Sequence, residues 1–462
     1  MTIYFPIILF WVLAAGIVCL NLRWSVLSYL LIAQIDMTGL AGPSLVSTST
    51  IGIENAVKVI VLPGILLWRM GWIGSRQSKW PRTAKIWIGL IIYALISILW
   101  TDYPLSALKM IGYLWCYVAL VIVFTSAWSR GWITEQTLVV VAWCAIGFAV
   151  VQTYLLGSSF GNIEGHEGIF TNRFTTFSDA QVFAAFLISV LALLVFGGSS
   201  RLWTRITEIG LVSSIILTGS RYAFIATVLL FLIASILKFV RQARKLDFTT
   251  LLKRCLIGAV PALLMVALVA QYLPTNRIAE LISLAGNRDS SIEDVGTLGW
   301  RMLVYQEAAD QLAQRGPWKL LGGSGTSSGA NVLLALGAQY EAALDPNRSM
   351  HSEFLRCFYE WGVVGFSLLI LFLVEVVKIS LRALRTQHSW QAAALLGVFP
   401  AMLFSLAIEN ILPGAGGPGG TGYALVIAAL FSSVPRVAER ANGKSSGFEK
   451  CSAVLSSLSP QK

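Results

Sequence analysis

Runs of about 20 apolar residues recur from one end of this chain to the other, and nothing else in the sequence limits its fold as strongly. A helix needs roughly 20 residues to cross a hydrocarbon core about 30 Å thick. The chain has 462 residues, of which 56% are hydrophobic and only 12% charged. Its mean hydropathy is +0.73, where a soluble globular protein sits near or below zero. No water-soluble core could use so many apolar segments, so the sequence predicts an all-α, polytopic membrane protein.

Spans are predicted near residues 3 to 20, 24 to 41, 54 to 72, 86 to 101, 107 to 127, 137 to 156, 180 to 198, 202 to 219, 222 to 240, 255 to 273, 354 to 377, 390 to 411 and 421 to 434. That makes about 12–13 transmembrane helices. Asn21, Arg23, Gln34 and Asp36 interrupt the first two, which leaves the side of the N-terminus open. The first segment lacks a basic leader and a small-residue cleavage site, so it is expected to be a retained helix.

A net charge of +11 could point to nucleic acid, but its placement argues otherwise. Assigning alternate loops to one side gathers 23 of the 34 Lys and Arg residues there, in loops 21 to 24, 69 to 85, 128 to 136, 199 to 205, 238 to 254 and 378 to 388 and in the tail. The positive-inside bias makes that side cytoplasmic. No basic segment is interleaved with aromatics, so no nucleic-acid partner is expected.

The chain then divides into spans with short loops at 1–273, a large periplasmic loop at 274–353, C-terminal spans at 354–434 and a basic cytoplasmic tail at 435–462, expected to be disordered. The large loop holds six basic and nine acidic residues. An anion bound there must therefore meet locally placed arginines.

Within that loop Arg301 to Gln314 carries Leu303, Ala308 and Leu312 on one face at helical spacing, and Gly316-Pro317 ends it. The glycine-rich stretch from Leu321 to Gly329 lacks the Gly-Lys-Ser/Thr ending of a nucleotide loop and reads as a linker or lid. Pro413-Gly-Ala-Gly-Gly-Pro-Gly-Gly-Thr-Gly422 reads as a turn between the last two spans.

Six cysteines, five of them in or beside spans, suggest no disulfide framework, and three scattered histidines with no ligand motif suggest no metal and no cofactor. The candidates for chemistry lie elsewhere. Arg221 is the only charged residue between Glu208 and Lys238. A lone arginine at bilayer depth costs roughly 2.5 to 3.5 kcal/mol on insertion scales, so a tight turn at Thr218-Gly219-Ser220 is expected to bring it to the outer face. The competing reading is a snorkelling interfacial arginine.

Arg301 and Trp300 open the loop helix, and Arg173 lies on another outer loop. Arg277, Arg288, Arg315 and Arg348 read as solvent-facing charges, and Glu307 and Glu353 as solvated acids. His351 stands where the polar loop gives way to an apolar helix, with Ser349 and Ser352 as candidate caps. At the positive end of that helix its ring stays neutral and able to accept a proton, and the same end favours an anion such as a diphosphate. The competing reading is a polar helix-end anchor. His166 and His388 lie in an acidic stretch and a cytoplasmic loop.

Leu217-Thr-Gly-Ser-Arg-Tyr-Ala223 at a hairpin, Trp300-Arg301, Leu321-Gly-Gly-Ser-Gly325 and the His351-Ser352, Gly362, Gly365 run, in this order and topology, resemble the O-antigen ligase and polymerase superfamily of bacterial membrane glycosyltransferases. The resemblance implies a metal-independent enzyme of the bacterial inner membrane with its active face periplasmic. Its donor would be an undecaprenyl-diphosphate-linked glycan and its acceptor a glycan or lipid A core. Arg221 and Arg301 would hold the diphosphate, His351 would orient or deprotonate the acceptor hydroxyl, and Arg173, Trp300 and Arg348 would help bind substrate. Membrane lipid, a chain-length regulator and a flippase are the further partners implied.

Polymerisation of repeat units and ligation to lipid A core both fit, with polymerisation slightly preferred. A lipid-linked glycan flippase is the reading from another class. It should show internal repeats and charges within several spans, whereas here the polar residues gather on one loop.

Overall fold

The computed structural model describes residues 4–35, 56–71, 82–155, 175, 180–198, 201–243, 297–337, 350, 352–387, 389–408 and 418–433. Among these no strand occurs, and the chain runs as fifteen α-helices. This is the form required where lipid offers the backbone no hydrogen-bond partner.

Helices α1 (Tyr4–Cys19) and α2 (Leu22–Ile32) form a hairpin, and a π-helical turn (Val57–Val61) leads into α3 (Leu62–Arg69). Then come α4 (Arg82–Ile96) with its 3-10 end (Ser97–Trp100), α5 (Pro104–Ser129), α6 (Glu135–Val150), α7 (Ala180–Gly197), α8 (Leu202–Leu217) and α9 (Arg221–Ala243). Three shorter helices follow, α10 (Thr297–Ala313), α11 (Pro317–Gly322) and α12 (Ala330–Ala335). The last are α13 (Glu353–Gln387), α14 (Trp390–Ile408) and α15 (Pro418–Ser433).

Six stretches among the described residues are long and apolar enough to cross a membrane: Arg82–Trp100, Pro104–Ser129, Glu135–Tyr154, Ala180–Gly197, Glu353–Arg385 and Trp390–Ala407. Four shorter apolar helices accompany them, Ile8–Cys19, Leu22–Ile32, Tyr222–Leu237 and Gly419–Ser433. The chain is a multi-pass membrane protein. The span expected near 255 to 273 lies outside the described residues.

Local signals account for several helix ends. Pro104 opens α5, where its missing N–H is not needed. Thr134 caps α6, its hydroxyl accepting from the Thr137 N–H at 3.2 Å. Asn21, which interrupts the first apolar stretch, caps α2 by accepting from the Trp24 N–H at 3.2 Å. The expected hairpin is present: α8 ends at Leu217, Gly219 turns the chain at φ +65, and α9 starts at Arg221.

The centre of the bundle is the pair α7 and α15, with α5 and α14 around it. From Phe183 to Leu194 on α7 and from Gly419 to Leu430 on α15 every residue is buried, as a helix apolar on all sides should be. Close approach requires their glycines. A Cβ on Gly422 would lie 2.9 Å from Phe186 Cα, and one on Gly419 would lie 3.1 Å from the Val182 carbonyl oxygen. Small residues of this kind let membrane helices meet backbone to backbone. This corrects the reading of Pro413–Gly422 as a turn: from Pro418 onward the segment is helix, because contact with α7 outweighs the weak helical propensity of its glycines.

Candidate functional site

The first two turns of α13 are where the described polar side chains are packed most deeply. Ser352 caps the helix, its hydroxyl accepting from the Leu355 N–H at 3.3 Å, one of the two caps expected for this helix. Glu353, Arg356 and Glu360 then occupy one face at spacings of three and four, and all three are fully buried. Arg356 Nε donates to Glu353 Oε2 at 2.8 Å, and Nη2 donates to the same oxygen. Its Nη1 reaches Met110 Sδ on α5 at 3.0 Å and lies 4.0 Å from Glu360 Oε2. The indole of Trp361 lies beneath the guanidinium, 5.5 Å from it.

At Gly362 the helix breaks, with φ 61 and ψ −161. The break leaves the carbonyls just before it without their usual donors four residues on. The glycine-rich loop after α11 replaces those donors. Ser324 N–H donates to the Tyr359 carbonyl at 3.1 Å and Gly325 N–H to the Glu360 carbonyl at 2.9 Å. Gly329 N–H reaches Glu360 Oε1 at 3.3 Å, and Arg315 Nη1 also donates to the Tyr359 carbonyl, at 2.9 Å.

Thr326 ties the loop to two helices. Its hydroxyl accepts from Trp361 Nε1 at 2.8 Å and donates to the Ala94 carbonyl on α4 at 3.0 Å. Its N–H donates to Ser97 Oγ at 3.1 Å, and Tyr93 Oη donates to the Gly322 carbonyl at 2.9 Å. Thr326, Ser327 and Ser328 are wholly buried, and Ser327 holds a left-handed φ of 68. The segment is neither linker nor lid. It is a staple joining α4, α11 and the break in α13.

Helix α10 lies over this joint. Val304, Ala308 and Leu312 bury one face against α12 and Met350, one residue out of step with the expected Leu303 face because Leu303 is only half-buried. Arg315, expected to face solvent, sits 3.6 Å over the Tyr359 ring. Burial lowers its pKa while Tyr359 opposes that shift. Tyr103 donates to Asn331 Oδ1 at 2.8 Å, and burial, with Asp102 nearby, raises its phenol.

Two arginine-bearing helices meet at the last turn of α14. Tyr222, next to Arg221 at the start of α9, stacks on Phe404 with ring centroids 6.2 Å apart. Tyr305, four residues from Arg301 and therefore on the same face of α10, donates to the Ala407 carbonyl at 3.3 Å. Phe404 and Ala407 are one helical turn apart. The first residue of α9 and the start of α10 thus stand at one end of the bundle, where α13 also begins.

Of the predicted site residues, Arg301 and Trp300 are half-buried on the first turns of α10. Arg221 is the first residue of α9. His351, Arg173 and Arg348 lie outside the described residues. Met350 and Ser352, the chain neighbours of His351, are both buried, and Met350 belongs to the apolar cluster with Val304 and Ala308. Among the described residues no group of three or more His, Cys, Asp and Glu side chains is arranged to hold a metal ion.

Sequence reading missed Arg356, Glu360, Thr326 and Ser97, and it took Glu353 for a solvated acid. The available signal was the spacing of Glu353, Arg356 and Glu360, three charges on one helical face in an otherwise apolar segment.

A helical bundle of spans with a layer of short helices stapled over one end is the architecture of an all-α multi-pass membrane protein. Residues 206–370 match the family model described as O-antigen ligase. The match runs from α8 into α13 and takes in Arg221, Arg301 and His351. The match agrees with the resemblance read from the sequence over that part of the chain. No curated protein matches the chain.

Proposed function

We propose that the chain transfers an undecaprenyl-diphosphate-linked glycan to an acceptor sugar at the periplasmic face of the bacterial inner membrane, joining repeat units of an O-antigen or exopolysaccharide. The observation that carries this reading is the convergence on the last turn of α14 of α9 and α10, the helices that begin at or beside Arg221 and Arg301 and that both lie in the family-matched region.

In this mechanism the acceptor hydroxyl oxygen attacks the anomeric carbon of the donor. The bond from that carbon to the diphosphate oxygen breaks, and its electron pair leaves on the lipid diphosphate. The hydroxyl proton passes to the neutral imidazole of His351. Arg221 and Arg301 hold the diphosphate and stabilise its growing charge, which is where fixed cations assist most. Diphosphate is already a good leaving group, so no carboxylic acid pair is needed to expel it. Trp300, Arg173 and Arg348 border the same substrate, and a flippase and a chain-length regulator would work beside the enzyme.

Ligation of finished polymer to lipid A core is the second reading, favoured by the description of the matching family. Deletion of the gene separates the two: lipid-linked single repeats accumulate if the enzyme polymerises, and full-length polymer is missing from lipid A if it ligates. Normal glycan of both kinds overturns the proposal. Undiminished synthesis with single repeats retained on the cytoplasmic side identifies a flippase instead. His351→Ala, Arg221→Ala and Arg301→Ala should each abolish transfer at unchanged protein level, and full activity of Arg221→Ala removes the diphosphate clamp.

A further inference from the structure

Helices α4 and α13 run antiparallel, and their contacts give a scale of depth. The Trp87 and Phe372 rings meet with centroids 4.6 Å apart, and Ser97 and Trp361 meet through Thr326. Arg82 and Lys378 lie at the same end of the pair and mark one edge of its apolar part. From Arg82 to Tyr93 is eleven residues, about 16 Å of helix, and from Lys378 to Gly362 is sixteen, about 24 Å. Both lengths fall short of a hydrocarbon core of about 30 Å. Tyr93 and Gly362 therefore stand below the far surface of the bilayer, and tilting either helix sets them deeper.

The segment from Arg315 to Asn331 descends to this depth and returns. Arg315 lies over Tyr359. From there α11 runs down to Gly322, whose carbonyl accepts from Tyr93 Oη at 2.9 Å, and Gly323 sits against Gly362. The chain then climbs along α4. Thr326 bonds to Ala94 and Ser97, and its carbonyl accepts from Thr101 Oγ1 at 2.5 Å. Asn331, at the start of α12, bonds to Asp102 and Tyr103, beyond the end of the span. Irregular backbone persists at membrane depth only where protein satisfies its polar groups. That condition is met: the N–H groups of Ser324, Gly325, Thr326 and Gly329 all donate to α4 or α13, and Thr326 to Ser328 are wholly buried. In the sequence, no charged residue occurs between Lys319 and Glu341.

What α11 turns outward is apolar. Trp318 is 82% exposed and Leu321, one turn on, 47%. Around Tyr93, α4 exposes Ile92, Ile96 and Leu99 on one face of a membrane span. The two apolar faces join at the bond between Tyr93 and Gly322, so the lipid that covers one extends to the other. We propose that α11 and the glycine loop form a re-entrant hairpin in the leaflet remote from Arg82 and Lys378, with Trp318 and Leu321 lying against phospholipid acyl chains. Lys319, also exposed, has a stem long enough to carry its ammonium up to the headgroups. This placement depends neither on the glycan donor nor on which leaflet faces the periplasm.

Fluorine NMR of the whole chain, labelled with fluorotryptophan and held in nanodiscs of phosphatidylcholine alone, tests it. The signal lost in Trp318→Phe belongs to Trp318, and the reading is then made on the parent protein. That signal should lose about half its height or more to phospholipid carrying a doxyl group near the ester end of its acyl chain, and about a fifth or less to a water-soluble gadolinium chelate. The opposite pattern puts α11 in water and overturns the inference. No response to either agent means that protein covers the face, a second copy included, and overturns it equally. Leu321→Trp adds a reporter one turn further in, expected to respond at least as strongly to the lipid label as Trp318 and no more to the chelate. A stronger chelate response there than at Trp318 reverses the direction of descent and overturns the hairpin.

Discussion

Gly323 and Gly362 face each other where two backbones cross. A Cβ on Gly362 would lie 2.3 Å from the Leu321 carbonyl oxygen, and one on Gly323 would lie 2.1 Å from that of Glu360. Both residues also hold positive φ, at 61 and 78. Left-handed backbone costs a residue with a side chain roughly 1–2 kcal/mol, and a clash against backbone costs roughly 1–3 kcal/mol more. Gly362→Ala and Gly323→Ala should each lose about 3 kcal/mol, read as a clear fall in thermal midpoint in detergent. Gly316→Ala, with open space around it and φ −69, is the control and should stay within about 0.5 kcal/mol. Equal midpoints for all three would remove the crossing as the reason for these glycines.

Among the elements, α10 and the hairpin of α8 and α9 were legible because their signals are local. Apolar residues at helical spacing end in Gly316-Pro317, and Thr218-Gly219-Ser220 separates two apolar runs. The glycine staple was not legible, since its partners at Ala94, Ser97 and Glu360 are distant in sequence and no short window contains both sides. The start of α15 was misread for the same reason: glycines that look like a turn in isolation are what allows contact with α7. Gly422→Val should therefore separate α15 from α7. We expect a loss of roughly 1–3 kcal/mol by overpacking, read as a fall in thermal midpoint in detergent. Unchanged stability would mean the two helices can part without penalty.

For the molecule as a whole, the arginine-bearing helix starts and the cap of α13 share one end of the bundle, and charge places that end opposite the basic loops. A phosphatase reporter fused after Arg315 should be active in the periplasm, and the same reporter fused in the tail after Gly443 should be silent. Activity in the reverse order would turn the protein over and put the proposed site on the wrong side of the membrane for the proposed donor. Sidedness rests on counting Lys and Arg alone, and these fusions test it. The buried charge group of Glu353, Arg356 and Glu360 was not legible, because a charged residue in a sequence looks the same whether its partner is water or another side chain.

The central position of α15 bears on how the protein is made. Synthesis proceeds from the N-terminus, so α5 and α7 enter the membrane long before the helix that fills the space between them. Until α15 arrives, the buried faces of α5 and α7 are open to lipid and to quality-control proteases. A chain truncated between the end of α14 and residue 418 thus lacks only the helix that fills the centre of the described bundle. The seating of the final described helix is a late step in completing the bundle.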